Sequence, residues 1–149
     1  MINTNWVRWL RASIDKHFSA AISIPLFIEG QHRDTKSLAD FAELRMDGPD
    51  FVEVTKNYYQ INLAISILIQ STKNDTNYHR LDTSIGIVTT AFTTIEVFKL
   101  GIGVQDTGDK IGCLSLTESL QVLRYGQLKP DVPLVHASVE GRYKMVLEE

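Results

Sequence analysis

The chain has 149 residues, of which 44% are hydrophobic and 22% are charged, and its formal net charge at pH 7 is −3. This composition is typical of a single folded domain covering residues 1–149, long enough to bury roughly 70% of the surface of its unfolded chain. The negative charge and the lack of a run of Lys or Arg disfavour nucleic acid and anionic membranes as partners bound through charge.

One cysteine and a charged N-terminal stretch indicate where the protein is made. The single cysteine, Cys113, excludes a disulfide within the chain and is typical of a reducing compartment. The N-terminal stretch is charged throughout, unlike a secretory signal, and no uncharged apolar run approaches the roughly 20 residues of a membrane span. We therefore expect a soluble protein made in the cytoplasm.

Residues 3–22 are predicted to form a helix, because their apolar side chains recur at helical spacing. The stripe consists of Trp6, Val7, Leu10, Ile14, Phe18, Ala21 and Ile22. Asn3 or Thr4 can cap this helix, and Pro25 prevents it from continuing. Trp9 lies off the centre of the stripe, so we expect its ring to be either half-covered by the fold or in contact with a partner.

Two strands separated by a polar loop are predicted to follow this helix. The first covers residues 26–29, and the loop covers residues 30–37. Residues 39–47 alternate as a half-buried strand does. Ala42, Leu44 and Met46 lie on one side of it, and Glu43, Arg45 and Asp47 on the other.

A turn is predicted at Gly48, Pro49 and Asp50, which are typical turn residues. The chain would then return through residues 51–57 into the next strand. This arrangement predicts an antiparallel hairpin with a long, partly extended connection.

The strand at residues 58–72 contains no charged side chain. Its odd positions form a core face of Tyr59, Ile61, Leu63, Ile65, Ile67 and Ile69. Its even positions are Gln60, Asn62, Ala64, Ser66, Leu68 and Gln70. This even face lacks the charges of a solvated surface, so we expect it to lie under a helix or to meet a neighbouring subunit.

A second helix is predicted over residues 78–92, after possible N-cap residues at 74–77. Its apolar seam consists of Tyr78, Leu81, Ile85, Val88 and Phe92. Residues 83–95 contain no charge, and Gly86 and Ala91 permit close approach of another element. We therefore expect this helix to be covered on more than one side, with the long strand beneath it.

The rest of the chain is predicted to form three or four strands. They cover residues 95–100, one or two segments within 113–126, and residues 134–147, and a glycine-rich loop spans residues 101–112. The last strand alternates between a core face, Val135, Ala137, Val139, Tyr143, Met145 and Leu147, and a solvated face, His136, Ser138, Glu140, Arg142 and Lys144. This order predicts an α+β fold, in which an antiparallel or mixed sheet with a long central hairpin carries both helices.

Residue types that bind metals or catalyse reactions do not converge in this sequence. No two of the histidines have metal-ligand spacing: His17, His32, His79 and His136. Cys113 is expected to be a small buried hydrophobe. Gly101 and Gly103 follow a strand, but Asp106 stands where a dinucleotide-binding loop needs a third glycine. We therefore predict neither a cofactor nor a metal, and a protein that assembles rather than catalyses.

The glycine-rich loop is predicted instead to be a flexible hairpin tip that few contacts hold and that a partner orders. The residues expected to contact this partner are Gln105, Asp106, Thr107, Asp109 and Lys110.

Four stretches resemble a family of small virion proteins of tailed bacteriophages, the neck and tail-terminator-like proteins. They are FAELRMDGPDF at residues 41–51, YYQINLAISILIQST at 58–72, NYHRLDTSIGIVTTAF at 77–92 and LVHASVEGRYKMVL at 134–147. The element order is similar to that of the tail-terminator fold of lambda-like phages. The resemblance covers the chain from residue 38 onwards, and before that it extends only to the kinds of element.

This resemblance implies a ring-forming subunit, commonly a hexamer, at the virion head–tail junction. Such a ring caps the tail tube and docks it to neck or head-completion proteins, and genomic DNA passes through its lumen without specific binding. The family has no catalytic residues. A cyclic ring needs two different contact surfaces, and the predicted interface residues are Gln60, Asn62, Ala64, Ser66 and Trp9.

Three alternatives remain open from the sequence. The protein could be the terminator itself or an adjacent neck protein of the same shape. It could be another virion component, such as a capsid decoration or tail-tip protein. It could also be a small binding module or enzyme unrelated to virions.

Overall fold

The computed structural model describes residues 3–30, 39–72, 79–127 and 134–148. The elements are α1 (Trp6–Ala21), β1 (Leu26–Ile28), β2 (Asp40–Thr55), β3 (Tyr58–Thr72), α2 (His79–Ala91), β4 (Ile95–Phe98), β5 (Lys110–Leu116), β6 (Gln121–Gln127) and β7 (Leu134–Glu148). The predicted α+β class and the predicted order of elements are both confirmed, with four strands after α2. The predicted N-cap at 74–77, Tyr78 and the loop residues 31–37 lie outside the described residues.

The strands form one mixed sheet in the order β1-β2-β3-β7-β5-β4. β1 pairs with β2 in parallel, and the other described pairings are antiparallel. β5 and β6 lie along the same edge of β7, because β6 pairs with its N-terminal half and β5 with Tyr143 and Lys144. β3 is paired with β2 on one side and along its full length with β7 on the other, so it is the centre of the sheet.

Both helices pack on the same side of this sheet and enclose the core. The odd positions of β3 from Ile61 to Ile69 are buried, as predicted. α1 contacts β4 and β2, whereas α2 contacts β3, β7 and β2. The buried side chains of the helices include Leu10, Ile14 and Phe18 on α1 and Leu81, Ile85 and Val88 on α2. The alternating core face of β7 is also buried.

The predicted turn at Gly48, Pro49 and Asp50 is wrong. β2 continues through these residues to Thr55, and the strand absorbs them as a bulge between Asp47 and Asp50. Gly48 has φ 99° there, and a bulge is a position where a strand accommodates both Gly and Pro. The hairpin turns instead at residues 56–57, where Asn57 adopts φ 69°.

The expectation that α2 is covered on more than one side is also wrong. Gly86 is exposed, and a Cβ placed there would have nothing within 4 Å. Thr83 and Thr90 on the same side are exposed as well. These exposed positions of α2 are uncharged, and their threonine side chains bond back to the helix. The Thr83 hydroxyl donates to the His79 carbonyl oxygen at 2.8 Å, and the Thr90 hydroxyl donates to the Ile87 carbonyl oxygen at 2.8 Å.

Candidate interaction surfaces

The even face of β3 lies on the outer side of the sheet, away from the helices. The strand register places a charged residue on each side of every residue in its central part. Ser66 lies between Arg45 and Glu140, and Ala64 lies between Asp47 and Arg142. Side chains directly opposite on neighbouring strands share one face and interact. The central row of this outer face is therefore uncharged, while the rows that flank it carry charges of both signs.

This arrangement gives a local reason for the missing charges on β3. All even positions from Gln60 to Gln70 are half-buried, although no helix of the described part of the chain packs on this side. Gln60 and Asn62 hydrogen-bond to each other at 2.8 Å. A carboxylate or ammonium at Ser66 or Ala64 would face a like charge on one neighbour and an opposite charge on the other, so a charge there gains nothing from its two cross-strand pairs. The candidate interface residues on this face stay accessible, and their contact with a neighbouring subunit stays a prediction.

A shallow depression of about 460 Å³ lies on this outer face beside the β2 bulge. Its charged lining residues are Asp47, Asp50, Glu118, Glu140 and Arg142. Four carboxylates against one guanidinium make this part of the face acidic.

Trp9 is not a surface residue, so its prediction as an interface residue is wrong. Its ring is only 1% exposed, and it packs edge-to-face on Trp6 with ring centroids 5.9 Å apart. The Nζ of Lys99 lies 5.4 Å from the centroid of the Trp9 ring. The loop after β4 covers the ring, and sequence periodicity cannot show such cover because these residues are far apart in the chain.

The loop at residues 99–109 is held to α1 by the carboxylate of Asp106, and we call it the pinned loop. Both terminal nitrogens of Arg8 donate to it, Nη1 to Oδ2 at 2.8 Å and Nη2 to Oδ1 at 2.7 Å. The Nε1 of Trp9 donates to Oδ1 at 2.7 Å, and the backbone N–H of Gly103 donates to Oδ2 at 2.9 Å. The side chain of Asp106 is 2% exposed. The prediction of a flexible tip held by few contacts is therefore wrong.

The Asp106 carboxylate is held in its charged form. Hydrogen bonds from Arg8, and then from Trp9, keep the pKa of this carboxyl well below its usual range. The paired geometry with Arg8 is bidentate, which fixes the orientation of the two groups as well as their distance.

Two glycines of this loop, Gly101 and Gly103, are explained by the same carboxylate. Gly101 has φ +147°, and a Cβ there would lie 2.3 Å from the Asp106 Oδ2 and 2.5 Å from the Arg8 Nη1. Gly103 supplies a backbone donor to Asp106. The glycine-rich stretch thus cradles an anion, as a phosphate loop does, but the anion is a side chain of the loop itself.

The five predicted contact residues of the loop all make bonds within the chain. The Oε1 of Gln105 accepts from the Asn5 Nδ2 at 2.8 Å, and the Thr107 hydroxyl donates to Asp109 at 2.7 Å. The Lys110 Nζ donates to the Glu96 carboxylate at 3.1 Å. These contacts position the loop, and the side chains of Gln105, Thr107, Asp109 and Lys110 stay exposed.

Ile102 and Val104 are the apolar side chains that this loop exposes. Their exposures are 107% and 100%, the highest among the exposed large hydrophobic residues of the described chain. Sequence reasoning missed them, although two aliphatic residues that each follow a glycine at a hairpin tip were a usable signal. The bonds to Asp106 therefore fix a loop that holds two aliphatic side chains in water.

The remaining candidates for chemistry lie apart from one another. Within residues 3–30, 39–72, 79–127 and 134–148, no group of three or more His, Cys, Asp or Glu is placed to hold a metal ion. The Nε2 of His17 lies 2.9 Å from the Ala91 carbonyl oxygen, and Cys113 is half-buried rather than buried. No helix in the part of the chain that the structure describes is long and apolar enough to cross a membrane.

No protein-family model matches this chain, and no similar sequence is found among curated proteins. The fold and the two surfaces, the outer sheet face and the pinned loop, are therefore the basis for inferring its function.

Proposed function

We propose that this protein is a structural subunit of a bacteriophage virion, which forms a ring at the head–tail junction as a tail terminator or neck component. In this role it caps the tail tube, docks the tube to the neck or head, and acts by binding rather than catalysis. The observation that carries the proposal is the pinned loop with Ile102 and Val104 fully exposed. The sequence resemblance described above supports the same role.

The physical argument starts from the cost of exposing apolar surface. Burying an aliphatic side chain of this size is worth about 1.5–3 kcal/mol, so Ile102 and Val104 have a strong tendency to enter an interface. The four hydrogen bonds to Asp106 fix the loop beforehand. Binding a prepared loop costs less conformational entropy than binding a flexible one.

A ring subunit also needs a second surface that differs from the first, because cyclic assemblies use head-to-tail contacts. The outer face of β3, with Gln60, Asn62, Ala64 and Ser66 accessible, is the proposed second surface for a neighbouring subunit. The net charge of −3 suits a lumen through which DNA passes without being bound. The proposed location is the virion, after synthesis in the host cytoplasm.

Size-exclusion chromatography with light scattering tests this proposal, with the full chain measured alone and mixed with purified tail tubes. We expect a closed oligomer, or a monomer that forms rings when tube ends are present. Electron microscopy of the mixture should then place density at the tube end. A strictly monomeric protein that does not bind tubes would contradict the proposal.

A further inference from the structure

The side of α1 that borders β4 carries a groove of about 550 Å³. Its apolar lining comes from Ala20 and Ala21 near the end of α1 and from the ring of Phe98 on β4. We call it the α1–β4 groove. Ser13 holds its two walls together, because its hydroxyl oxygen accepts the Phe98 backbone N–H at 3.0 Å. A volume of this size falls within the roughly 300–1,000 Å³ of protein ligand pockets.

The charged residues of the groove lie at its rim. The Nζ of Lys16 lies 5.3 Å from the centroid of the Phe98 ring. Glu96 is bonded to Lys110 within the chain. Lys16 therefore places a positive charge beside the apolar residues that line the groove.

The pinned loop is complementary to this groove. Residues 101–105 at its tip contain no charge, and Ile102 and Val104 project fully into solvent. Asp109 follows on the same loop and is exposed. An apolar tip with a carboxylate behind it matches an apolar floor with an ammonium at its rim.

The loop does not occupy the groove of its own chain. Asp106 fixes the loop to Arg8 near the start of α1, and in this position Ile102 and Val104 are fully exposed. A tip that fills the groove while its own loop stays bonded to Arg8 comes from another copy.

We propose that Ile102 and Val104 of one copy insert into the α1–β4 groove of a second copy. The donated and accepting surfaces differ, so this contact is the head-to-tail kind that generates rings. The inference rests on the proposed function, which it deepens by naming the residues on each side of the subunit contact.

Directed cross-linking tests the contact itself. One chain carries Val104→Cys and Cys113→Ser, and a size-tagged chain carries Ala21→Cys and Cys113→Ser. After mixing and mild oxidation, we expect the mixed disulfide dimer to form at least about tenfold faster than in urea-unfolded chains. A control pair with Thr83→Cys on the exposed side of α2 in place of Ala21→Cys should stay at the unfolded rate. Equal rates for the two folded pairs would overturn the contact.

Light scattering on charge variants separates the contact from the function. Val104→Asp and Ile102→Asp leave the fold unchanged, since both side chains lie in solvent, and each should weaken self-association about tenfold or more. Thr83→Asp is the matched control and should not change it. An oligomer that survives both loop variants would refute this contact while the proposed ring function stands. A single chain that carries Val104→Cys, Ala21→Cys and Cys113→Ser has both sides of the contact and should give a ladder of cross-linked copies; a ladder that stops at two copies would support the contact and refute the ring.

Discussion

Gly141 lies on the inner face of β7, paired with Ile65 on the central strand, and has no space for a side chain. A Cβ added there would lie 2.7 Å and 2.9 Å from two ring carbons of Phe92 and 3.0 Å from a methyl carbon of Leu120. The ring of Phe92 cannot easily move, because it packs on Phe18 with ring centroids 5.1 Å apart. We therefore expect Gly141→Ala to strain the core.

The size of this effect follows from two opposing terms. Forcing an extra carbon into a packed core costs about 1–3 kcal/mol. Replacing Gly with Ala also restricts the unfolded chain, which returns about 0.4–1 kcal/mol. The difference of the two terms spans about 0–2.6 kcal/mol. Because two of the contacts are shorter than 3.0 Å, we expect a net loss in the free energy of unfolding of about 1–2 kcal/mol, in the middle of that range. For a chain of this length it corresponds to a fall in Tm of roughly 2–8 °C.

Gly86→Ala is the matched control, because Gly86 is a helical residue on α2 with nothing within 4 Å of its added Cβ. The same substitution there should raise the free energy of unfolding by about 0.5–1 kcal/mol. Urea denaturation followed by circular dichroism measures both variants. If the two midpoints moved in the same direction, the packing argument at Gly141 would be refuted.

Three further predictions concern the core, the loop and the inner face. Ile65→Asp should prevent folding, because it places a charge at a fully buried position. Ser66→Glu on the outer face should leave the monomer folded and weaken assembly. Circular dichroism separates the two variants, and an unfolded Ser66→Glu variant would rule out that face as an interface. Asp106→Asn should accelerate amide hydrogen exchange in residues 100–109 but not in β3. Because the pKa of Asp106 is lowered on folding, this difference should be present at pH 7 and vanish only in strong acid, as the pH falls through the lowered pKa. Tyr143→Phe removes a hydroxyl that donates to the Thr93 carbonyl oxygen at 2.9 Å and should cost about 0.5–1.5 kcal/mol of unfolding free energy; an unchanged urea midpoint would show that water replaces this bond.

The elements of the fold could be predicted from the sequence because their signals are local. The alternation of β3 and β7 identified their buried faces, and the helical spacing of Leu10, Ile14 and Phe18 identified the side of α1 that packs on the sheet. Val7 of the predicted stripe is exposed, however, and Trp9 beside it is buried. A strand with one core face or a helix with one apolar stripe leaves this pattern in a few consecutive residues.

The candidate interaction surfaces were predicted only in part. The loop at 101–112 was predicted to contact a partner, which stays a prediction, and the roles given to its residues were wrong. Asp106 is an internal anchor, and the exposed side chains are Ile102 and Val104. The hydrogen bonds that decide this join Asp106 to Arg8 and Trp9, which are 98 and 97 residues away in the chain.

For the even face of β3, too, the sequence determined one part of the structure and the tertiary fold decided another. The sequence determined that this face is uncharged and lies opposite the core. The tertiary structure decided what it meets, because the strand register brings Arg45 and Glu140 to either side of Ser66. Side-chain periodicity is a property of each strand alone, whereas neighbours across a sheet, cover over a ring and the anchoring of a loop depend on which distant segments come together.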